Sequence, residues 1–223
     1  MATGLGLTAV ALAFLAGAVP FPYIIARLWG GIDIREHGSR NPGASNVYRV
    51  LGFGPGALTF VLDCSKAIAA VKFATLLGLD AYFMPDTLIW IEIGLGVLSV
   101  LGHVFSPFLG GRGGKGVATV IGVFWVLFPL GLLTAALCGA AVILVFRYFS
   151  LGSLVGVCIL PIAHLILNDQ PFLSAVVPVL YLSLAVALLV LVRHSDNIRR
   201  LISGKEHGMS AADAADPGSG AIR

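Results

Sequence analysis

Apolar residues run in long unbroken stretches along this chain, at residues 4–28, 56–79, 87–106, 116–130, 131–146, 151–168 and 172–192, with polar residues confined to the gaps. A bilayer core of about 30 Å takes roughly 20 apolar residues of helix. The pattern therefore predicts an all-α, polytopic membrane protein with about seven transmembrane helices. A transmembrane β-barrel would alternate apolar and polar positions in strands of about 10 residues, whereas these runs are continuous. Residues 116–146 are interrupted only by Pro129 and Gly131. One helix of that length would overshoot the bilayer by roughly half its thickness, so two short helices joined by a tight turn are expected.

Composition narrows the picture. The chain is 58% hydrophobic and 11% charged, against about a quarter charged in soluble domains, so a separate soluble catalytic domain has no room. A single transmembrane domain is expected over residues 1–206. Residues 207–223, rich in Ala, Gly, Asp and Ser, should form a disordered cytoplasmic tail. The first run has no Lys or Arg before Arg27 and so lacks the basic start of a cleaved signal peptide; it should be kept as a helix. With seven spans, Arg27, Arg35, Arg40, Arg49, Arg112, Lys115, Arg147, Arg193, Arg199, Arg200 and Lys205 fall on one side, while Asp80, Asp86 and Asp169 mark the other. That bias puts the amino terminus outside and the carboxyl terminus in the cytoplasm.

A net charge of +3 with scattered bases gives no track for a nucleic-acid backbone, and no such partner is expected. Cys64, Cys138 and Cys158 lie in apolar runs without metal-ligand spacing, as small packing residues would. Asp63, Lys66, Lys72 and Glu92 fall within spans, where an unpaired charge costs several kcal/mol. Asp63 and Lys66 share a helical face. Lys72 and Glu92 sit at similar depth and are expected to pair.

Three cytoplasmic segments hold the remaining polar residues. In Gly38–Gly52, small residues alternate with Ser39, Asn41, Ser45, Asn46 and Arg49, giving close backbone approach, hydrogen-bond donors and a guanidinium suited to phosphate. An ordinary turn-rich loop has the same composition. In Gly102–Thr119, glycines flank Arg112 and Lys115 just before a helix, where free N–H groups favour an anion. This is no Walker loop, because Leu109 replaces its first glycine and Gly116 follows the lysine. Gly111, Gly113 and Gly116 match a dinucleotide fingerprint, but no strand precedes them. In Arg193–Glu206, His194 and Asn197 share a face with Leu201, while Arg199 and Arg200 point elsewhere, as bases gripping lipid headgroups would. His164 and Asp169 have the H-x4-D spacing of an unrelated acyltransferase class, but at the outer end of a span and on different faces.

The segments SRNPGASNVYR, GHVFSPFLGGRGGKGVAT and HSDNIRRL, in that order, resemble the signature of the bacterial PlsY-type glycerol-3-phosphate acyltransferases, over nearly the whole chain to Glu206. Arg40 and Pro42 stand where many members have Gly and Ile, Ser45 replaces Thr, and Ser195 stands where Arg is common. The resemblance implies a seven-helix enzyme of the bacterial inner membrane, facing the cytoplasm and needing neither metal nor organic cofactor. Its implied reaction takes acyl phosphate and glycerol 3-phosphate to lysophosphatidate and inorganic phosphate. Ser39, Arg49, Lys115, His194 and Asn197 would be catalytic, and Asn41, Gly43, Asn46, His103, Arg112, Gly113, Gly114 and Gly116 would bind substrate. The glycine loop with Arg112 and Lys115 would hold one phosphate; Ser39, Asn41 and Arg49 would hold the other. No single general base stands out. The protein is expected to act as a monomer among membrane lipids. A transporter of phosphorylated metabolites is the rival reading, but it would show repeated halves; a catalytically idle lipid-binding relative is the third.

Overall fold

A computed structural model describes residues 2–209. Those residues form ten α-helices and two short 3-10 turns, with no strand among them. The helices are α1 (Ala2–Ala18), α2 (Phe21–Gly30), α3 (Ala44–Leu51), α4 (Phe53–Leu76), α5 (Pro85–Val104), α6 (Val117–Leu127), α7 (Pro129–Phe146), α8 (Phe149–Leu167), α9 (Val177–Arg193) and α10 (Ser195–Ile202). Each expected apolar run is helical over most of its length, although the helix of the last begins only at Val177. By length and apolarity, four stretches among the described residues qualify as membrane spans: Thr3–Gly30, Pro85–Leu109, α7 and α8. A fifth is α9 taken with α10, which is bent away by 62°. Among the other runs, α4 has 24 residues but carries Asp63, Lys66 and Lys72, and α6 has only 11.

Proline sets two of the breaks. Residues 116–146 do form two helices, divided at Phe128 with Pro129 starting α7, where its missing N–H costs nothing. The first run is also broken, at Val19 and Pro20, a kink its apolar composition hides. Pro20 cannot donate to the preceding turn, and at the break the carbonyl of Ala18 accepts from Ser106 Oγ at 2.6 Å and that of Val19 from Lys66 Nζ at 2.8 Å and Phe21 N–H at 3.1 Å.

Lys66 also pairs with Asp63 at 2.7 Å, and His103 Nδ1 lies 3.5 Å from the same carboxylate. One buried cluster thus joins the α1–α2 break, α4 and α5. Lys72 and Glu92 do not close into an ion pair: among the described residues no contact within 4.0 Å joins them, and Lys72 is exposed. The reason is the direction of the Lys72 side chain: it projects outward from α4 and is exposed, so its ammonium stays beyond 4.0 Å of Glu92 although the two are near enough to feel each other's charge. The apolar core lies between α4, α5, α6, α7, α8 and α9 and includes Val71, Val100, Phe124, Leu132 and Val190.

Arg40 adopts a left-handed φ of 59°. A side chain in that region strains the backbone by about 1 kcal/mol. Arg40→Gly should therefore raise the melting temperature by roughly 2 to 4 °C for a chain of this size. Thermal unfolding in detergent checks this, and an unchanged or lower midpoint would show that the Arg40 side chain compensates its strain.

Candidate active site

A cavity of about 610 Å³ opens at the end of the bundle where α3, α10 and the loop before α6 converge. Its mouth is polar and includes Ser39, Asn41, Arg49, Lys115, His194 and Asn197. Gly43, Gly116 and His103 also line it. Nine of the expected site residues therefore meet in one space, from three distant parts of the chain.

The first loop supplies α3, a helix too short to stand out in the sequence. Arg49, 5% exposed, is carried on its inner face. Asn46, fully buried, does not line the cavity. Its amide binds the Ile34 and His37 carbonyls at 3.2 and 2.9 Å and accepts from Ser39 N–H at 2.9 Å. It serves as the knot of the loop, and the Ser39 hydroxyl is left facing the cavity.

The glycine loop divides its two bases. Gly110 and Gly111 take left-handed φ values of 63° and 78° and reverse the chain. Gly113 and Gly114 then donate their N–H groups to the carbonyls of Val104 and His103 at 3.0 and 3.2 Å, so those donors are spent on α5. A methyl group on Gly114 would come within 2.2 Å of His103 Nε2, so glycine is required for close approach. The first turn of α6, at Gly116, Val117 and Ala118, remains at the cavity wall and presents the helix N-terminus. Lys115 points into the cavity. Arg112 does not: it is exposed and faces a separate cleft of about 340 Å³ with Asp33, Arg35 and Glu36. Beside that cleft Asp33 stays ionised, its pKa lowered to about 2 chiefly by the hydrogen bond from Arg35.

Lys115 donates to Asn197 Oδ1, and Asn197 Nδ2 donates to Glu206 at 2.6 Å. Glu206 also accepts from Ser150 Oγ at 2.9 Å and Arg200 Nε at 3.0 Å. Arg200 thus turns inward, unlike Arg199, which lies in solvent beside Asp196. Burial lowers the Lys115 pKa to about 8, against the opposing pull of Glu206. Burial first and Lys115 second lower His194 to about 4, so its ring is neutral. His194 Nδ1 lies 2.8 Å from the Val190 carbonyl and so carries the hydrogen, which leaves Nε2 as an acceptor. In the segment expected to be disordered from 207, His207 and Gly208 are packed on the site: Arg49 Nε donates to Gly208 O at 2.8 Å. Residues 210–223 lie outside the described residues.

Sequence reasoning missed Glu206 and Arg193. The guanidinium of Arg193 reaches the carbonyls of Gly113 and Gly114 at 3.4 Å and bridges α9 to the glycine loop. The only signal for either was a charge next to a motif. His164 lies away from the site, its Nε2 3.1 Å from Pro171 O. Among the described residues no group of His, Cys, Asp and Glu could hold a metal ion.

Away from the mouth the cavity becomes an apolar slot. Phe60 of α4 and Ile121 of α6 form one wall, and Ala136 and Ala140 of α7 with Val157 of α8 form the other. A site with cations at one end and a greasy slot at the other suits a phosphorylated amphiphile.

The comparisons agree with that geometry. The glycerol-3-phosphate acyltransferase family pattern matches residues 7–204. A glycerol-3-phosphate acyltransferase of Halalkalibacterium halodurans is 40% identical over 194 residues, covering 87% of this chain and 90% of the relative. The crystal structure of PlsY (YgiH), an integral membrane glycerol 3-phosphate acyltransferase, in its glycerol 3-phosphate form superposes with a TM-score of 0.81 at 34% identity, over 95% of this chain and 98% of that one. Its lysophosphatidic acid form gives 0.77 at 32% identity, over 94% and 98%. By sequence along nearly its full length and by its helical architecture alike, the chain belongs to the PlsY family of glycerol-3-phosphate acyltransferases.

Proposed function

We propose that this protein transfers an acyl group from acyl phosphate to the 1-hydroxyl of glycerol 3-phosphate, releasing lysophosphatidate and inorganic phosphate. It does so as a seven-span monomer of a bacterial inner membrane, with its amino terminus outside and its site open to the cytoplasm. The observation that carries this reading is the union, in one cavity, of Arg49 and Lys115 with an apolar slot. Arg49 and the Ser39 hydroxyl hold the phosphate of the acceptor. Lys115 and the N-terminus of α6 hold the phosphate of the donor, whose chain lies in the slot. The acceptor oxygen attacks the acyl carbonyl, the carbon–oxygen bond to phosphate breaks, and the phosphate leaves with its charge opposite Lys115. His194 Nε2 accepts the hydrogen of the attacking hydroxyl. Positioning of this kind, with donors aimed where charge develops, supplies most of the rate in comparable sites. No metal or organic cofactor enters these steps.

The donor assignment has its own support. Acyl-coenzyme A carries a large nucleotide head that needs a docking surface, whereas acyl phosphate presents a compact dianion. Initial rates with labelled glycerol 3-phosphate and the two donors at matched chain length decide between them. Acyl phosphate should support turnover and the thioester should not; comparable or faster transfer from the thioester would overturn the donor assignment.

A further inference from the structure

The slot has a graduated wall. Along α7 it is lined by Ala140, Ala136 and Leu132, spaced four residues apart, so that each step descends roughly 6 Å. Ala140 and Ala136 are small and accessible, which leaves the slot wide at those levels. At the deep end it closes: Leu132 and Leu160 are 6% and 2% exposed and belong to the packed core with Val157, Val123 and Phe124. From Ser150 at the mouth to Leu160 is ten residues of α8, or roughly 15 Å of depth. An extended chain advances roughly 1.2 Å per bond. The slot therefore takes about twelve bonds, and each step on α7 about five.

We propose that Ala140, Ala136 and Leu132 form a ruler that sets which acyl chains this enzyme accepts, with Leu132 and Leu160 as its floor. The occupant is the donor's acyl chain, because the slot is continuous with the mouth where Lys115 meets the phosphate; the inference rests on the donor reading above. A bulky side chain at a higher step excludes all chains that reach past it. A smaller one at the floor admits longer chains. Since Ala140 and Ala136 are accessible, Phe at either position enters the slot and spares the core.

Initial rates over saturated acyl phosphates of about 2 to 18 carbons test this in wild type, Ala140→Phe, Ala136→Phe and Leu132→Ala. The upper cut-off of Ala140→Phe should fall about five carbons below that of Ala136→Phe. That of Leu132→Ala should rise by about two or three carbons. The KM for glycerol 3-phosphate should stay within about twofold in all three, because the mouth is untouched. Coincident cut-offs for the two Phe variants overturn the ruler, as does an unchanged profile, which is the outcome if chains leave the slot sideways into lipid. Should wild type accept only a coenzyme A thioester, the donor assignment falls, and the same order of cut-offs, read with thioesters, still decides on the ruler.

Discussion

Lys115→Met is expected to lower turnover by about 10- to 1000-fold, the range found when one charge-stabilising donor is lost from a preorganised site. Arg112→Ala and Lys205→Ala should stay within about twofold, since their side chains are exposed and face away from the cavity. The two classes of base are thereby separated: equal losses at all three positions would mean that overall basicity matters and the position of Lys115 does not. The Lys115→Met protein should melt no lower than wild type at neutral pH, because a buried ammonium is removed along with the lost hydrogen bond to Asn197.

The same lysine gives the rate a pH signature. Its pKa is lowered from 10.5 to about 8 by burial. Below pH 8 it is a cation, suited to the donor phosphate proposed above; as pH rises through 8 that cation is lost, and the KM for the phosphorylated donor should climb. Stability runs the other way. Between pH 8 and 10.5 the unfolded chain binds the proton that the folded protein has released, so the contribution of this group to stability rises with pH across that window. The substitution should flatten both trends, and rate and melting profiles from pH 6 to 10 check them together. A KM that stays flat through pH 8 in wild type would remove Lys115 from the donor site.

Much of the fold was legible because membrane helices must satisfy their own backbone groups, so apolar length alone predicts them. Pro129 marked the division between α6 and α7 correctly. The kink at Pro20 was hidden because its carbonyls are capped by Ser106 and Lys66, residues distant in sequence. At the site, the mouth residues Ser39, Arg49, Lys115, His194 and Asn197 could be named from three motifs. The separation of Arg112 from Lys115 could not, because it depends on two left-handed glycines whose direction no composition encodes. The place of Asn46 was equally hidden: its side chain looks like a ligand-binding amide, and in the fold it makes hydrogen bonds to the loop it ties. Glu206 follows a polar turn that resembles any helix end, and only tertiary contact reveals that it braces Asn197.

Lys66→Met should destabilise the protein by about 3 to 5 kcal/mol, the usual cost of removing one partner from a buried ion pair. For a chain of this size that corresponds to a midpoint lowered by roughly 6 to 20 °C. Three contacts would fail together: the pair with Asp63 at 2.7 Å, the bond to Val19 O at 2.8 Å and the 3.1 Å approach to His103 Nδ1. The largest penalty comes from Asp63, whose side chain is 1% exposed and would be left buried with only the His103 ring nearby. Replacing both partners removes that stranded carboxylate, so Asp63→Leu with Lys66→Met should recover more than half of the loss, the Val19 carbonyl keeping only its bond from Phe21 N–H at 3.1 Å. A double variant as unstable as the single one would mean that the Lys66 bond across the Pro20 break, and not the ion pair, pins α1, α4 and α5 together. His103 makes a second readout available. Its Nε2 edge abuts Gly114, so freeing its Nδ1 edge should loosen the glycine loop and raise the KM for the donor more than it lowers turnover. If turnover instead fell about 100-fold or more in protein that is still folded, the cluster would be part of the reacting machinery and more than the pin of the bundle.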